Sequence, residues 1–258
     1  AAFRVEDAAA VQLTEQASWI PAFGVSYALG VTGLGLALIL LAVVLVPLVL
    51  LAAWREHRAD DDGRRIRTYV ALVLVLEAFM VAVFAARDVF LFYVLFEAML
   101  IPVYFMIGMF GGPQRRYAAV KFLIYSLVGG LVMLVGVIAL GMQGPGGEEG
   151  FLVDSLTGLD LGTWTERLIF LSFFFAFAIK APMWPVHTWL PDAAEQAPAG
   201  TNVLLVGVLD KVGTFGILRY CLPLFPEASV YFAPLAIALA LVGIIYAALL
   251  AVGQNDLK

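Results

Sequence analysis

Six side chains that can hold or pass a proton stand inside or beside long apolar runs of this chain: Glu77, Glu97, Lys180, His187, Asp210 and Lys211. An ionisable group at the centre of a bilayer costs about 2.5–3.5 kcal/mol on insertion scales, so four of them cost roughly 10 kcal/mol and must face a protein interior. Structural pairing accounts for one or two such residues. Several at similar depth on neighbouring spans read as a proton relay.

The densest stretch is residues 176–198, A-F-A-I-K-A-P-M-W-P-V-H-T-W-L-P-D-A-A-E-Q-A-P, which carries Lys180 in an apolar run and His187 beyond it. Their spacing of two turns puts both side chains on one face if the helix is continuous. Pro182 and Pro185, between them, remove backbone donors and break or kink the helix. At membrane depth that is tolerated only where freed carbonyls meet protein or a water-lined cavity. Plainer roles are open to each residue. Glu97, in F-E-A-M-L-I-P, can be the structural partner of a lysine, with Pro102 loosening the helix just after it. Lys211, in L-D-K-V-G-T-F-G, can be neutralised by Asp210. Adjacent residues point about 100° apart on a helix, however, which leaves Lys211 to look into the core and Asp210 as a modulator or partner. His187 can cap a backbone carbonyl, against a relay role suited to titration near neutral pH.

The elements that must position these groups are transmembrane. Of 258 residues 63% are hydrophobic and only 14% charged, with a mean hydropathy of +0.97, against roughly 25% charged residues in soluble domains. One cysteine, Cys221, and two histidines, His57 and His187, cannot assemble an iron–sulfur cluster, a disulfide framework or a zinc site. The net charge of -5 gives no reason to expect nucleic acid as a partner. With no initiator Met and no signal-peptide pattern, the chain reads as a fragment.

Seven runs are long enough to cross the bilayer, near 29–53, 68–86, 88–110, 118–140, 167–190, 199–221 and 230–252, the fifth being proline-broken. The expected fold is an all-α polytopic membrane protein. Residues 1–22 read as a loop returning to the membrane interface. Arg55, Arg58, Arg64, Arg65 and Arg67 fill the loop after the first run, and Arg115 and Arg116 the loop after the third, whereas 141–166 holds no lysine or arginine. Positive residues stay on the cytoplasmic side, so the expected topology has the N-terminus outside and Lys258 inside, with Arg4, Arg87, Arg167 and Arg219 against the rule. Gly129, Gly130, Gly136, Gly207, Gly213 and Gly216 permit close helix contact.

F-L-F-Y-V-L-F-E-A-M-L-I-P-V-Y-F, A-F-A-I-K-A-P-M-W-P-V-H-T-W-L-P-D-A, Q-A-P, V-G-V-L-D-K-V-G-T-F-G-I-L-R-Y and the terminal Q-N-D-L-K occur in one order. From Tyr27 onward they resemble the subunit M family of antiporter-like membrane subunits of the proton-pumping NADH:quinone oxidoreductase, bacterial respiratory complex I. The resemblance implies proton translocation by Glu97, Lys180, His187 and Lys211. It also implies a fold of two inverted five-helix repeats, each with one broken helix. On that reading 1–26 is an external loop, 27–67 the first span and cytoplasmic loop, 68–221 the first repeat and 222–258 the start of the second. It further implies no cofactor in this chain, with NADH, flavin, iron–sulfur clusters and quinone in partner subunits. Homologous antiporter-like subunits are expected as neighbours in the bacterial plasma membrane. Departures are Ala194 and Glu195, where the family often has a His- or Ser-rich patch, and Arg87 at a mouth usually less basic; Glu77 matches no family residue. A multi-subunit sodium or potassium/proton antiporter subunit, a membrane-bound hydrogenase subunit and a structural scaffold are the competing readings.

Overall fold

The structure, a computed structural model, describes residues 3–56 and 63–253; His57, Arg58 and the terminal Q-N-D-L-K lie outside them. The N-terminal segment expected as a loop is instead a β-hairpin. β1 (Gln12–Ile20) pairs antiparallel with β2 (Val25–Val31), with Ala17 opposite Tyr27 and Ser18 opposite Ser26. Gly24, at φ +71°, supplies the left-handed residue the reversal needs. β2 is the packed strand and β1 the exposed one, so only one strand has a buried face to specify it.

Helices follow: α1 (Gly33–Glu56), α2 (Arg64–Ala85), α3 (Val89–Ala98) and α4 (Leu100–Phe110), which form one run interrupted at Met99, and α5 (Arg115–Gln143). A short α6 (Val153–Leu156) precedes α7 (Thr163–Lys180), α8 (Trp189–Gln196) and α9 (Ala199–Leu204). The π-helical turn Leu205–Leu209 joins α9 to α10 (Asp210–Gly216), and a second, Ile217–Cys221, leads to α11 (Leu222–Leu224) and then α12 (Pro226–Val252).

Among the described residues six helical runs are long and apolar enough to cross a membrane: Gly33–Ala53, Arg64–Ala85, Val89–Phe110, Arg115–Gln143, Ala199–Leu224 and Pro226–Val252. The other expected run, 167–190, is helical only up to Lys180; α7 carries Glu166, Arg167 and Lys180 and gives way to turns before α8. Long apolar side chains cover the outside of the bundle, with Val135 68% and Leu249 70% exposed, as a lipid-facing surface requires. This is a multi-pass membrane protein.

Three features fix the frame. Aromatic rings fill the space between α3, α7 and the run 199–224, with Phe92 against Tyr220 at 4.2 Å and Phe173 against Phe225 at 5.5 Å. Glycines bring backbones together: a Cβ on Gly129 would meet Ala176 Cα of α7 at 3.3 Å, and one on Gly136 would collide with Ser172 Oγ. Buried Glu166 accepts a hydrogen bond from Ala228 N at 3.0 Å, so a carboxylate of α7 caps the otherwise orphaned start of α12.

At the hairpin end the segment 86–88 ties four elements together. Arg87 N donates to Ala28 O, Val153 N donates to Arg87 O, and the Tyr220 hydroxyl donates to Ala86 O at 3.0 Å. Fully buried Asp88 caps α3 through Leu91 N at 2.9 Å and accepts from Ser26 N at 3.0 Å. Burial pushes its carboxyl up from the usual range, and the N–H groups of Ser26, Leu91 and Phe90 pull it the other way. Arg87 pairs with Asp154 at 2.6 Å, which accounts for a guanidinium on a rim otherwise poor in positive charge.

Candidate functional site

Lys180 is the last residue of α7 and is 2% exposed. Its Nζ has no hydrogen-bonding partner. It stands 5.0 Å from the Phe96 ring centre and 5.6 Å from that of Phe122, so π-faces on α3 and α5 supply part of what water would supply to an ammonium. Its electrostatic partners are two carboxylates, Glu97 and Asp210.

Glu97 comes from α3, two residues before the interruption at Met99. Pro102 has no N–H to give the Ala98 carbonyl, and the helix restarts at Leu100. The carboxylate is half-buried against Gly130 of α5, where an added Cβ would collide with it, and its Oε1 has no partner. Gly130 therefore makes room for a charge, whereas Gly129 beside it makes room for a helix.

The helix break is closed by protein. Ala181 N donates to Phe177 O at 2.7 Å, Met183 N to Ala178 O at 2.8 Å, and the buried Trp189 indole N–H to Ile179 O at 2.9 Å. Three carbonyls at the open end of α7 are thus paired, which a span interrupted by Pro182 and Pro185 needs. Because the helix is not continuous, Lys180 and His187 do not share a helical face. His187 lies in the turns after the break, half-buried, with its ring 5.3 Å from that of Tyr246 on α12 and its Nδ1 unpaired.

On the next span the structure reverses the expectation. Asp210 is 8% exposed and faces α7, while Lys211 is exposed on the bundle surface with its Nζ donating to Val206 O at 3.0 Å. The reason is packing. A Cβ on Gly213 would stand 2.7 Å from both Ala181 N and Phe177 O, and one on Gly216 would collide with the Phe177 ring, so the face carrying Gly213 and Gly216 is the one pressed on α7. Asp210, one turn earlier, lies on that face, and Lys211 is turned about 100° away. Glu77, on α2, is part-exposed and makes no hydrogen bond or ion pair among the described residues; it stands apart from the group.

A second polar cluster holds α8 to α5 beyond the break. Lys121 Nζ pairs with Asp192 Oδ2 at 2.5 Å, and one turn along α5 the Tyr125 hydroxyl meets Thr188 Oγ1 at 2.7 Å. Lys121 sits in an apolar run and its four-residue spacing to Tyr125 was a readable signal; its partner seventy-one positions away was not.

A bundle of membrane-crossing helices around a further helix that breaks beside a buried lysine, with two carboxylates in electrostatic range, defines an antiporter-like polytopic membrane protein. The family model described as NADH:quinone oxidoreductase/Mrp antiporter, TM, matches residues 86–258, and the chain belongs to that family. It is 47% identical to NADH-quinone oxidoreductase subunit M of Mycobacterium tuberculosis over 95% of this chain and 50% of that protein. A chain of respiratory complex I from Thermus thermophilus with bound NADH superposes with a TM-score of 0.81 at 34% identity, over 95% of this chain and 50% of that one. A chain of the Mrp complex from Dietzia sp. DQ12-45-1b shares the fold, with a TM-score of 0.74 at 21% identity over 86% of this chain and 24% of that one. The chain spans about half the length of the curated relatives it matches.

Proposed function

We propose that this chain is proton-translocating material of a subunit M of NADH:quinone oxidoreductase, with residues 68–221 as one five-helix repeat. Glu97, Lys180, His187 and Lys211 are its relay groups, and Asp210 is their modulator. The observation that carries the reading is the environment of Lys180. A buried Nζ without a hydrogen bond, held by aromatic faces and by carboxylates in electrostatic range, is expensive as structure and useful as a site that gains and loses a proton. The 47% identity to a protein named for that subunit supports the same reading.

The chain itself performs no redox step in this proposal. NADH, flavin, iron–sulfur clusters and quinone belong to partner subunits, which include homologous antiporter-like neighbours in a bacterial plasma membrane. The ends bearing Arg64, Arg65, Arg67, Arg115 and Arg116 face the cytoplasm, and the hairpin and 141–166 face outside. Quinone chemistry elsewhere acts by shifting Glu97 relative to Lys180, a two-state element biased from a distance.

The test uses the assembled complex in inside-out membrane vesicles, with NADH oxidation and proton uptake followed together. Glu97→Gln leaves assembly intact and nearly abolishes NADH-driven uptake, while Glu97→Asp is milder because the charge remains. Uptake at the wild-type rate in Glu97→Gln sinks the relay. A second reading, a cation/proton antiporter subunit of the multi-subunit type, draws support from the family description, which covers both, and from the shared Mrp fold. Rescue of a salt-sensitive strain without NADH-oxidising partners favours that reading.

A further inference from the structure

Asp210 is a buried carboxylate with an unpaired Oδ1. A group that merely tuned the local field from a distance has no need to be desolvated, and an unpaired buried acceptor is destabilising. Its position is fixed by contact and not by chance: Gly213, one turn along the same face, lets the α10 backbone touch Ala181 N and Phe177 O, the peptide groups around the end of α7. The residue before Ala181 is Lys180. Asp210 and Lys180 interact electrostatically, and Lys180 also interacts with Glu97 of α3. Neither Nζ nor Oδ1 is committed to another hydrogen bond.

We propose that Asp210 is the proton acceptor of Lys180 on the α10 side, so that the lysine works between two carboxylates, Glu97 on α3 and Asp210 on α10. This deepens the reading of the chain as a proton-carrying subunit and rests on it. In the step, one N–H bond of the Lys180 ammonium breaks as an O–H bond forms on Asp210. An ion pair becomes a neutral amine and a neutral acid, and no net charge is created in the interior. Asp210 then gives the proton up to a water molecule or base on the face of the span that carries Lys211. Lys180, now neutral, reloads from the Glu97 side.

The backbone around Asp210 suits a group that must move between two partners. The π-helical turn Leu205–Leu209 ends immediately before it, and the Lys211 ammonium is bonded to the Val206 carbonyl within that turn. A π-turn has weaker hydrogen-bond geometry than the α-helix around it and recurs at functional positions.

The experiment is Asp210→Asn in the assembled complex. Proton uptake driven by NADH should fall by roughly 10²-fold, the lower end of what a positioned proton-transfer group contributes. Asp210→Glu, which restores a carboxylate on a longer arm, should recover most of it. Infrared difference spectra on NADH addition should show a protonated-carboxyl band that Asp210→Asn removes and Asp210→Glu shifts. Should Asp210→Asn fail to assemble, the band shift in Asp210→Glu carries the test: a shifted band supports the step, an unshifted one overturns it. Wild-type uptake and an unchanged band in Asp210→Asn, with Glu97→Gln inactive, overturn the role of Asp210 and leave the relay standing. If Glu97→Gln also pumps normally, it is the relay that has failed.

Discussion

Gly130→Ala separates the electrostatic role of the site from its packing. A Cβ at this position would have Glu97 Oε2 at 2.7 Å, with Oε1 and the carboxyl carbon closer still. Ordinary contact between such atoms begins near ~3.5 Å, so the carboxylate must withdraw by roughly 1 Å or more. Because what yields is the far end of a flexible side chain, the steric cost stays small, and it is offset by the about 0.8–1 kcal/mol that alanine gains over glycine inside a helix. Stability should therefore stay within about 1 kcal/mol of wild type. The effect on charge is larger in proportion. Around a separation on the order of 5 Å and an effective dielectric constant of about 20, each ångström of withdrawal weakens the Glu97–Lys180 attraction by about 0.6–0.7 kcal/mol. A retreat of 1–1.5 Å is then worth about 0.6–0.8 kcal/mol, or roughly threefold to fourfold in the equilibrium that controls Lys180. NADH-driven dye quenching in inside-out vesicles should slow by about that factor, with the complex fully assembled. Gly129→Ala is the control: its Cβ meets Ile179 Cδ1 at 3.0 Å and Ala176 Cα at 3.3 Å, atoms of the helix and not of the carboxylate. It should disturb packing of α5 on α7 more and the pumping-to-oxidation ratio less. Equal ratios in the two variants, or a wild-type ratio in Gly130→Ala, would refute the argument.

Trp189→Phe keeps the ring but removes the donor to Ile179 O, leaving a buried carbonyl unpaired at a cost of about 1–3 kcal/mol; thermal unfolding of the detergent-solubilised complex should show the loss, and an unchanged midpoint would mean another donor closes the break. Lys121→Met and Asp192→Asn, alone and together, should be non-additive by about 0.5–3 kcal/mol in the same assay, since the pair joins α5 to the segment beyond the break; strict additivity would make it an idle surface contact. Cysteines placed at Gln114 and at Gly146 should react with a membrane-impermeant thiol reagent from opposite sides, Gln114 from the cytoplasm; labelling of both from one side overturns the proposed topology.

Much of the frame was readable from residue types because the bilayer enforces it. A run of apolar residues long enough to span must close its own backbone hydrogen bonds, and six of the expected runs do so as helices. The proline pair located the break, and the apolar surroundings of Lys180 located its burial. What was not readable depended on phase and on distant partners. A hydrophobic pattern assumes 3.6 residues per turn, but two π-turns in the run 199–224 alter the phase, and the face is chosen by Gly213 and Gly216 against α7. That is why Asp210 and not Lys211 turns inward. The hairpin escaped because β1 has no buried face to impose an alternating pattern, and the strand is specified by its pairing to β2. Asp88 was legible in principle as a capping residue before V-F-L-F-Y; that its second oxygen holds Ser26, sixty-two positions away, was not.

The distribution of regular and irregular backbone bears on how a shift in Glu97 could be delivered. At the hairpin end, residues 86–88 bind β2, the segment leading to α6 and Tyr220 of the sixth run into one hydrogen-bonded unit, and Asp88 fixes the start of α3 to it. Two elements that carry a charged group of the site, α3 and the run 199–224, are thereby referenced to one rim. The interruptions lie deeper: Met99 after Glu97, the turns after Lys180, and the π-turn before Asp210. On the proposed function, a displacement entering from the opposite end of the bundle would be absorbed at these three places, because a helix bends where its hydrogen-bond ladder is already broken. Glu97, Lys180 and Asp210 each sit within two residues of such a place, so a small movement of the frame would change their mutual distances while the hydrogen-bonded rim at Asp88 held.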